Sequence, residues 1–261
     1  MNLADMSITE IRAELERHEE LPTELLEMLQ SDTRKGVIQL LKQHQQRETK
    51  RLQLLARWQE MSRYEREQRI AGKRYIAGID EVGRGPLAGP VVACAVVLPE
   101  DIYIPGLNYS KKVAPAEREQ LYEQIMKQAV SIGIGSVDAS RIDQINILEA
   151  TKEAMLLAVR AISVPIDVCL IDAVRLPNLP IDQVPIIGGD AQSISIAAAS
   201  IVAKVTRDRL MNEYAKEYPQ YGFEKHAGYG TKEHLLAIQT HGPVSIHRHS
   251  FTGVKEWIGA K

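Results

Sequence analysis

Cysteine is nearly absent from this chain: 261 residues hold only Cys94 and Cys169, each inside an apolar, strand-like run. That scarcity excludes a disulfide framework and a cysteine-based zinc centre, and fits reduced, buried thiols. Long apolar runs are missing too, since none approaches the roughly 20 residues that span a bilayer. The N-terminus is acidic and helical, with no leader-like order of basic then apolar residues. The expectation is a soluble, cytoplasmic protein with no membrane partner. Strong charge is likewise lacking, with a net of -2. The total therefore gives no sign of a polyanion partner, although binding depends on where charge sits. There is no GxxxxGK[ST], and "GRGPLAG" (83–89) leads into proline and a second strand instead of a helix. A P-loop or dinucleotide-binding enzyme is disfavoured on that ground.

Residues 1–73 are almost free of glycine and strand formers. Ser7 with Glu10 makes a capping box, followed at helical spacing by Ile8, Ile11 and Leu15. Pro22 and Thr23 open a second helix carrying Leu25, Leu26 and Leu29, and Asp32 caps a third with Val37, Leu40 and Leu41. Beyond "KQHQQRETKR" the apolar residues Leu52, Leu55, Trp58 and Met61 predict a long connecting helix. Charge is split within this module. Residues 1–32 hold nine acids and two basic residues, whereas 33–74 hold twelve basic residues and four acids. Either these are solvated helix faces or the basic half is an additional polyanion contact.

From residue 74 to 261 the pattern changes to strands alternating with helices. "RYIAGID", "PVVACAVVL", "SIGIGSVD", "DVCLID" and "QVPIIGG" are five strand candidates. Only "EVGRGPLAG" separates the first two, too short for a crossover helix, so they pair antiparallel. Helices over 114–129, 147–162 and from Ser193 onward separate or follow the later strands, and a mixed α/β sheet results.

Three strand regions end in acids: Asp80 with Glu81, Asp172, and Asp190. If the first and fourth strands are parallel neighbours, their shared C-terminal edge is a switch point where open α/β sheets bind ligands. Carboxylates crowded in such a cleft repel one another, and hard divalent cations, Mg²⁺ or Mn²⁺, would resolve the conflict. An isolated Asp at a strand end is more often a turn former, and Asp190 could cap the next helix. The Asp80-Glu81 pair, set between apolar strands beside Gly83 and Gly85, is harder to explain that way.

"GIDEVGRGPLAGPVVA" closely resembles the signature of ribonuclease HII, the type 2 ribonuclease H family. "LNYSKKV", "IDAVRLPNLP", "GGDAQSISIAAASIVAKVTRDR", "HAGYGTKEH" and "HGPVSIHRHSF" resemble further family segments in family order, over residues 74 to about 252. Residues 1–73 look like the N-terminal helical extension of some bacterial members. The resemblance implies a ribonuclease H-like five-stranded sheet flanked by helices and an endoribonuclease active on RNA–DNA hybrids. It also implies cleavage 5′ of ribonucleotides embedded in duplex DNA, leaving a 5′-phosphate and a 3′-hydroxyl, with a place in ribonucleotide excision repair and replication. The catalytic, metal-binding set would be Asp80, Glu81, Asp172 and Asp190, holding two divalent ions.

In the family the stretch matching Gly83-Arg84-Gly85 senses the 2′-hydroxyl, and glycines allow the backbone close to a sugar. Tyr229 matches a tyrosine that packs on the sugar at the scissile junction. Ser110, Lys111 and Lys112 match a phosphate-contacting loop, and Ser200 with Lys204 forms a second contact one helical turn apart. Core tyrosine and solvated lysines are the plain alternatives. Two positions depart from the pattern: Tyr109 replaces a common aspartate and Ala227 a common lysine. His241, His247 and His249 lack the partners of a zinc site. A monomer is expected. The competing readings are a ribonuclease HIII-like enzyme, which would carry lysine where Arg84 stands, and a non-catalytic nucleic-acid-binding module.

Overall fold

A computed structural model describes residues 6–108, 110 and 112–258. The chain divides into two compact units, 1–59 and 60–261.

The first unit is built from α1 (Ile8–Arg17), α2 (Thr23–Ser31) and most of α3 (Lys35–Met61). The capping box is formed: the Ser7 hydroxyl accepts the Glu10 N–H at 3.2 Å, and the Glu10 carboxylate accepts the Ser7 N–H at 2.8 Å. Ile11, Leu15, Leu29, Val37, Leu40 and Leu41 make its core. The polar stretch "KQHQQRETKR" does not interrupt α3, which runs unbroken for 27 residues. These are good helix formers without glycine or proline, so propensity carries the helix across a segment that buries little.

The second unit begins with α4 (Arg63–Ile70) and then forms β1 (Ile76–Val82), β2 (Val91–Val97), α5 (Pro115–Gln128), β3 (Ser131–Val137), α6 (Ala139–Arg160), β4 (Val168–Asp172) and β5 (Asp182–Ile186). α7 (Ile194–Glu217), α8 (Phe223–His226) and α9 (Lys232–His241) follow. All five expected strands are present in one sheet of order β3-β2-β1-β4-β5. β1 pairs antiparallel with β2 and parallel with β4, so the chain reverses its winding between β1 and β4.

Helices cover both faces. α6 lies on one side, where Ala77, Ile79, Ala93 and Ala95 meet Ala150, Ala154 and Ala158. The expected 147–162 helix extends back to Ala139 through a break at Asn146 (φ 68°), whose side chain caps the second segment by accepting the Leu148 N–H at 2.9 Å. On the other face, Ile196 of α7 packs with Ile76, Leu170 and Ile186. The first part of α7 is buried and rich in alanine, which lets the helix sit close on the sheet. Contact is tightest at Gly78, where a Cβ would stand 2.0 Å from the carbonyl carbon of Ser195.

α4 is tied to the start of α7 by Glu65, whose buried carboxylate accepts the Ser195 N–H at 3.0 Å and the hydroxyls of Ser193 and Ser195. Negative charge at a helix N-terminus is favourable, yet burial raises the pKa of this glutamate.

The atoms opposing a side chain at position 78 are all backbone, so none can yield easily. Gly78→Ala is expected to cost about 3 kcal/mol of stability in urea unfolding. A loss below about 0.5 kcal/mol would show that α7 can lift from the sheet.

Candidate active site

Strand periodicity decides where the acids point. Along β1, Ile76 and Gly78 face α7, so Asp80 does too; along β4 the same holds for Val168, Leu170 and Asp172. The β1–β4 ladder pairs Ile79 with Ile171, and Asp80 and Asp172 are the next residues on each strand. Two carboxylates thus stand just past the β1–β4 ladder, on adjacent parallel strands and on one face. The Asp172 carboxylate accepts the Gly189 N–H at 2.7 Å, and this fixes the short 3₁₀ turn Gly189–Ala191 that carries Asp190. Ser193, not Asp190, caps α7.

These acids line one cavity of about 380 Å³, together with Gly83, Arg84, Gly85, Ser110, Ser200, Lys204 and Tyr229. Lys112 is not part of that lining, and Lys111 and Tyr109 lie outside the described residues. A larger depression of about 530 Å³ lies in the N-terminal unit, lined by Arg12, Glu16, Arg47 and Lys50. Its single acid and loose array of exposed cations offer no reacting group, so the chemistry favours the smaller cavity.

Asp80 is buried, and its pKa is pushed well above the usual carboxylate range, first by burial, then by the charge of Glu81. Hydrogen bonds from Ser200 and from the Glu81 N–H, the latter at 2.7 Å, oppose the shift. Glu81 is raised by burial and by Asp172, and lowered by Arg84, which lies 3.4 Å away. The set is all oxygen, anionic and self-repelling, which fits a hard cation in donor type and charge. As they stand, no three His, Cys, Asp or Glu side chains among the described residues are gathered tightly enough to hold one, so binding would draw these carboxylates together.

Ser110 and Ser200 are buried and bonded to each other at 3.0 Å. Because Ser200 also reaches Asp80, this pair links the acids to the loop before α5. Arg118 steadies that loop through the carbonyls of Ser110 (3.0 Å) and Val113 (2.9 Å). Lys204 reaches the cavity but is paired with Asp208 at 2.6 Å.

The glycine-rich loop is held by two fully buried arginines that do not belong to the set of residues expected from sequence. Arg207 donates to the carbonyls of Pro90 (2.9 Å), Ala88 (3.0 Å) and Ala227 (2.9 Å). Arg248 donates to Gly83, to Arg84 (2.9 Å) and to Gly89 (2.9 Å). Burial, followed by the nearby charge of Arg207, pushes Arg248 down to about 9. Gly83 has φ +93°, and a Cβ there would meet Arg207 Nε at 2.3 Å. Arg207 was traceable, since it follows Ser200 by two helical turns on one face of α7; Arg248 carries no such signal.

The chain matches the family model "Ribonuclease HII" over residues 77–254 and the model "Ribonuclease HII N-terminal domain" over 7–69. It belongs to the ribonuclease HII family. A ribonuclease HII of Geobacillus sp. (strain WCH70) is 52% identical over 255 residues, which cover 98% of this chain and 92% of that protein. One from Bacillus cereus (strain G9842) is 57% identical, covering 89% of this chain and 90% of the relative. Among solved structures, the ribonuclease H2 from Pyrococcus horikoshii OT3 superposes with a TM-score of 0.58 at 25% identity, over 70% of this chain and 96% of that one. The ribonuclease HII fold and family make this a ribonuclease H-type hydrolase.

Crowding the carboxylates costs stability. Asp80→Asn keeps the carbonyl acceptor and removes a buried charge, so in metal-free buffer it should raise Tm by a few degrees while eliminating cleavage. Thermal unfolding with chelator, run beside an activity assay, checks both; a lower Tm would show that Asp80 is stabilised where it sits.

Proposed function

We propose that this enzyme cleaves the RNA strand of RNA–DNA hybrids and cuts 5′ of single ribonucleotides within duplex DNA, with Asp80, Glu81, Asp172 and Asp190 holding two divalent ions, Mg²⁺ or Mn²⁺. The observation that carries the reading is the convergence of those four acids and the Gly83-Arg84-Gly85 loop on one cavity. When bound, paired ions supply activation of water and stabilisation of the leaving oxygen in phosphodiester hydrolysis.

The protein's own groups do the positioning. Burial raises the affinity of the acids for a counter-charge, because the repulsion between Asp80, Glu81 and Asp172 is relieved only when cations or protons neutralise it. Ser200 orients Asp80, and Gly189 orients Asp172. With the carbonyls of Gly83 and Arg84 turned onto Arg248, the loop is left to meet a ligand through its N–H groups. A row of donors suits the 2′-hydroxyl oxygen, the atom that separates RNA from DNA. Tyr229 exposes its ring on the same cavity, where it can pack against the adjoining sugar. Lys204, released from Asp208, and the Ser110–Lys112 loop would contact phosphate.

Cleavage of a DNA duplex holding one ribonucleotide, compared with a long hybrid, tests the specificity. Cutting on the 5′ side of the single ribonucleotide is expected, and Asp172→Asn should abolish it while duplex binding persists. Cleavage confined to runs of several ribonucleotides would favour the ribonuclease HIII-like reading.

The basic residues of 33–74 are proposed to add affinity through phosphates without entering the chemical step. Deletion should stop at residue 59, because Glu65 belongs to the second unit and holds the start of α7. The truncated enzyme should show a raised KM, a kcat within a few-fold, and a log–log salt slope shallower by about 0.9 for each phosphate no longer neutralised. Equal slopes for both chains would make the module a structural appendage.

A further inference from the structure

Three histidines surround the loop that carries Tyr229. His234 in α9 and His247 beyond it are buried, and their Nε2 atoms face each other at 3.1 Å. One ring must therefore donate and the other accept. Their outer partners decide which. The Val244 N–H lies 2.9 Å from His247 Nδ1. The Val244 carbonyl is 3.3 Å from that nitrogen, but it already accepts the His247 backbone N–H at 2.9 Å. His247 Nδ1 is thus an acceptor, and the proton on its Nε2 is donated to His234. His234 then carries its own proton on Nδ1, donated to the Tyr229 carbonyl at 2.9 Å.

The chain of donors runs one way, from Val244 through both rings to Tyr229, and allows each ring one tautomer. His226 stacks on His234 with centroids 4.7 Å apart and accepts the Gly228 N–H on Nδ1 at 3.2 Å, while its Nε2 bonds the Tyr221 carbonyl at 2.9 Å. Burial keeps His234 and His247 neutral by pushing each pKa down to about 4. The Tyr229 backbone is anchored from behind while the residue remains 43% exposed.

The geometry points to His234, oriented by His247, as a positioning residue that sets the Tyr229 ring across the cleft. This rests on the proposed packing of Tyr229 against a substrate sugar, and identifies what holds the ring in place. A contact made by one exposed ring depends on its loop being fixed beforehand, since ordering it on binding would weaken affinity.

A double-mutant cycle on the single-ribonucleotide duplex tests this. His234→Leu should raise KM roughly tenfold with kcat within about threefold, whereas His234→Asn, which restores a donor near the Nδ1 position, should recover most of the loss. Tyr229→Ala should also raise KM, and adding His234→Leu to it should bring no further rise. If the two effects multiply, His234 acts elsewhere and the inference is overturned. If Tyr229→Ala leaves KM unchanged, the sugar-packing reading itself falls, and the inference with it. Should His234→Leu fail to fold, ¹⁵N spectra of the wild-type imidazoles decide: Nδ1–H for His234 and Nε2–H for His247 are expected, and the reverse tautomers would overturn it.

Discussion

Repulsion between carboxylates brought to one point by strand pairing is the constraint around which this molecule is arranged. Asp80 and Asp172 follow directly after the last paired residues of two parallel strands, and the two-residue period turns both toward α7. Neither can move without shifting its strand, and Asp80 is kept from solvent beneath α7. The closeness of α7 has its own cause: Gly78 beneath, alanines above. Sheet, helix and acids are therefore one device, in which packing energy holds charges at a spacing they would not choose.

Around that device, cations serve carbonyls more than carboxylates. Arg207 and Arg248 direct their donors to the backbone of the glycine-rich loop, and this shapes the loop from the inside. Arg84, exposed and 3.4 Å from Glu81, offsets the acids directly. The histidines behind Tyr229 follow the same logic with neutral rings. The glycine-rich loop and the Tyr229 backbone are thus both held by buried side chains.

Much of this was legible in the sequence. The strands announced themselves by apolar runs bounded by glycine and acids, and Asp80, Glu81, Asp172 and Asp190 stood out because each ends such a run. The capping box at Ser7 and the helical core residues from Ile11 to Leu41 followed from local spacing. What escaped depends on long-range packing. Nothing near Arg248 in sequence reveals that it reaches Gly83 and Arg84, and Glu65 meets its serines only once α4 lies against α7. His247 lacks the partners of a zinc site in the sequence, but nothing near it shows that its ring meets His234. The continuity of α3 through its polar middle escaped because periodicity marks burial, and that stretch is helical without being buried.

That the four acids form one cation-binding set is open to direct test. Crystals of the full chain grown with Mn²⁺ and a duplex whose scissile linkage resists cleavage would locate the ions by anomalous scattering. Mn²⁺ density is expected among the carboxylates of Asp80, Glu81, Asp172 and Asp190, against the scissile phosphate. Mn²⁺ at the histidines beside Tyr229, or a scissile phosphate lying at these acids without Mn²⁺ density, would contradict it.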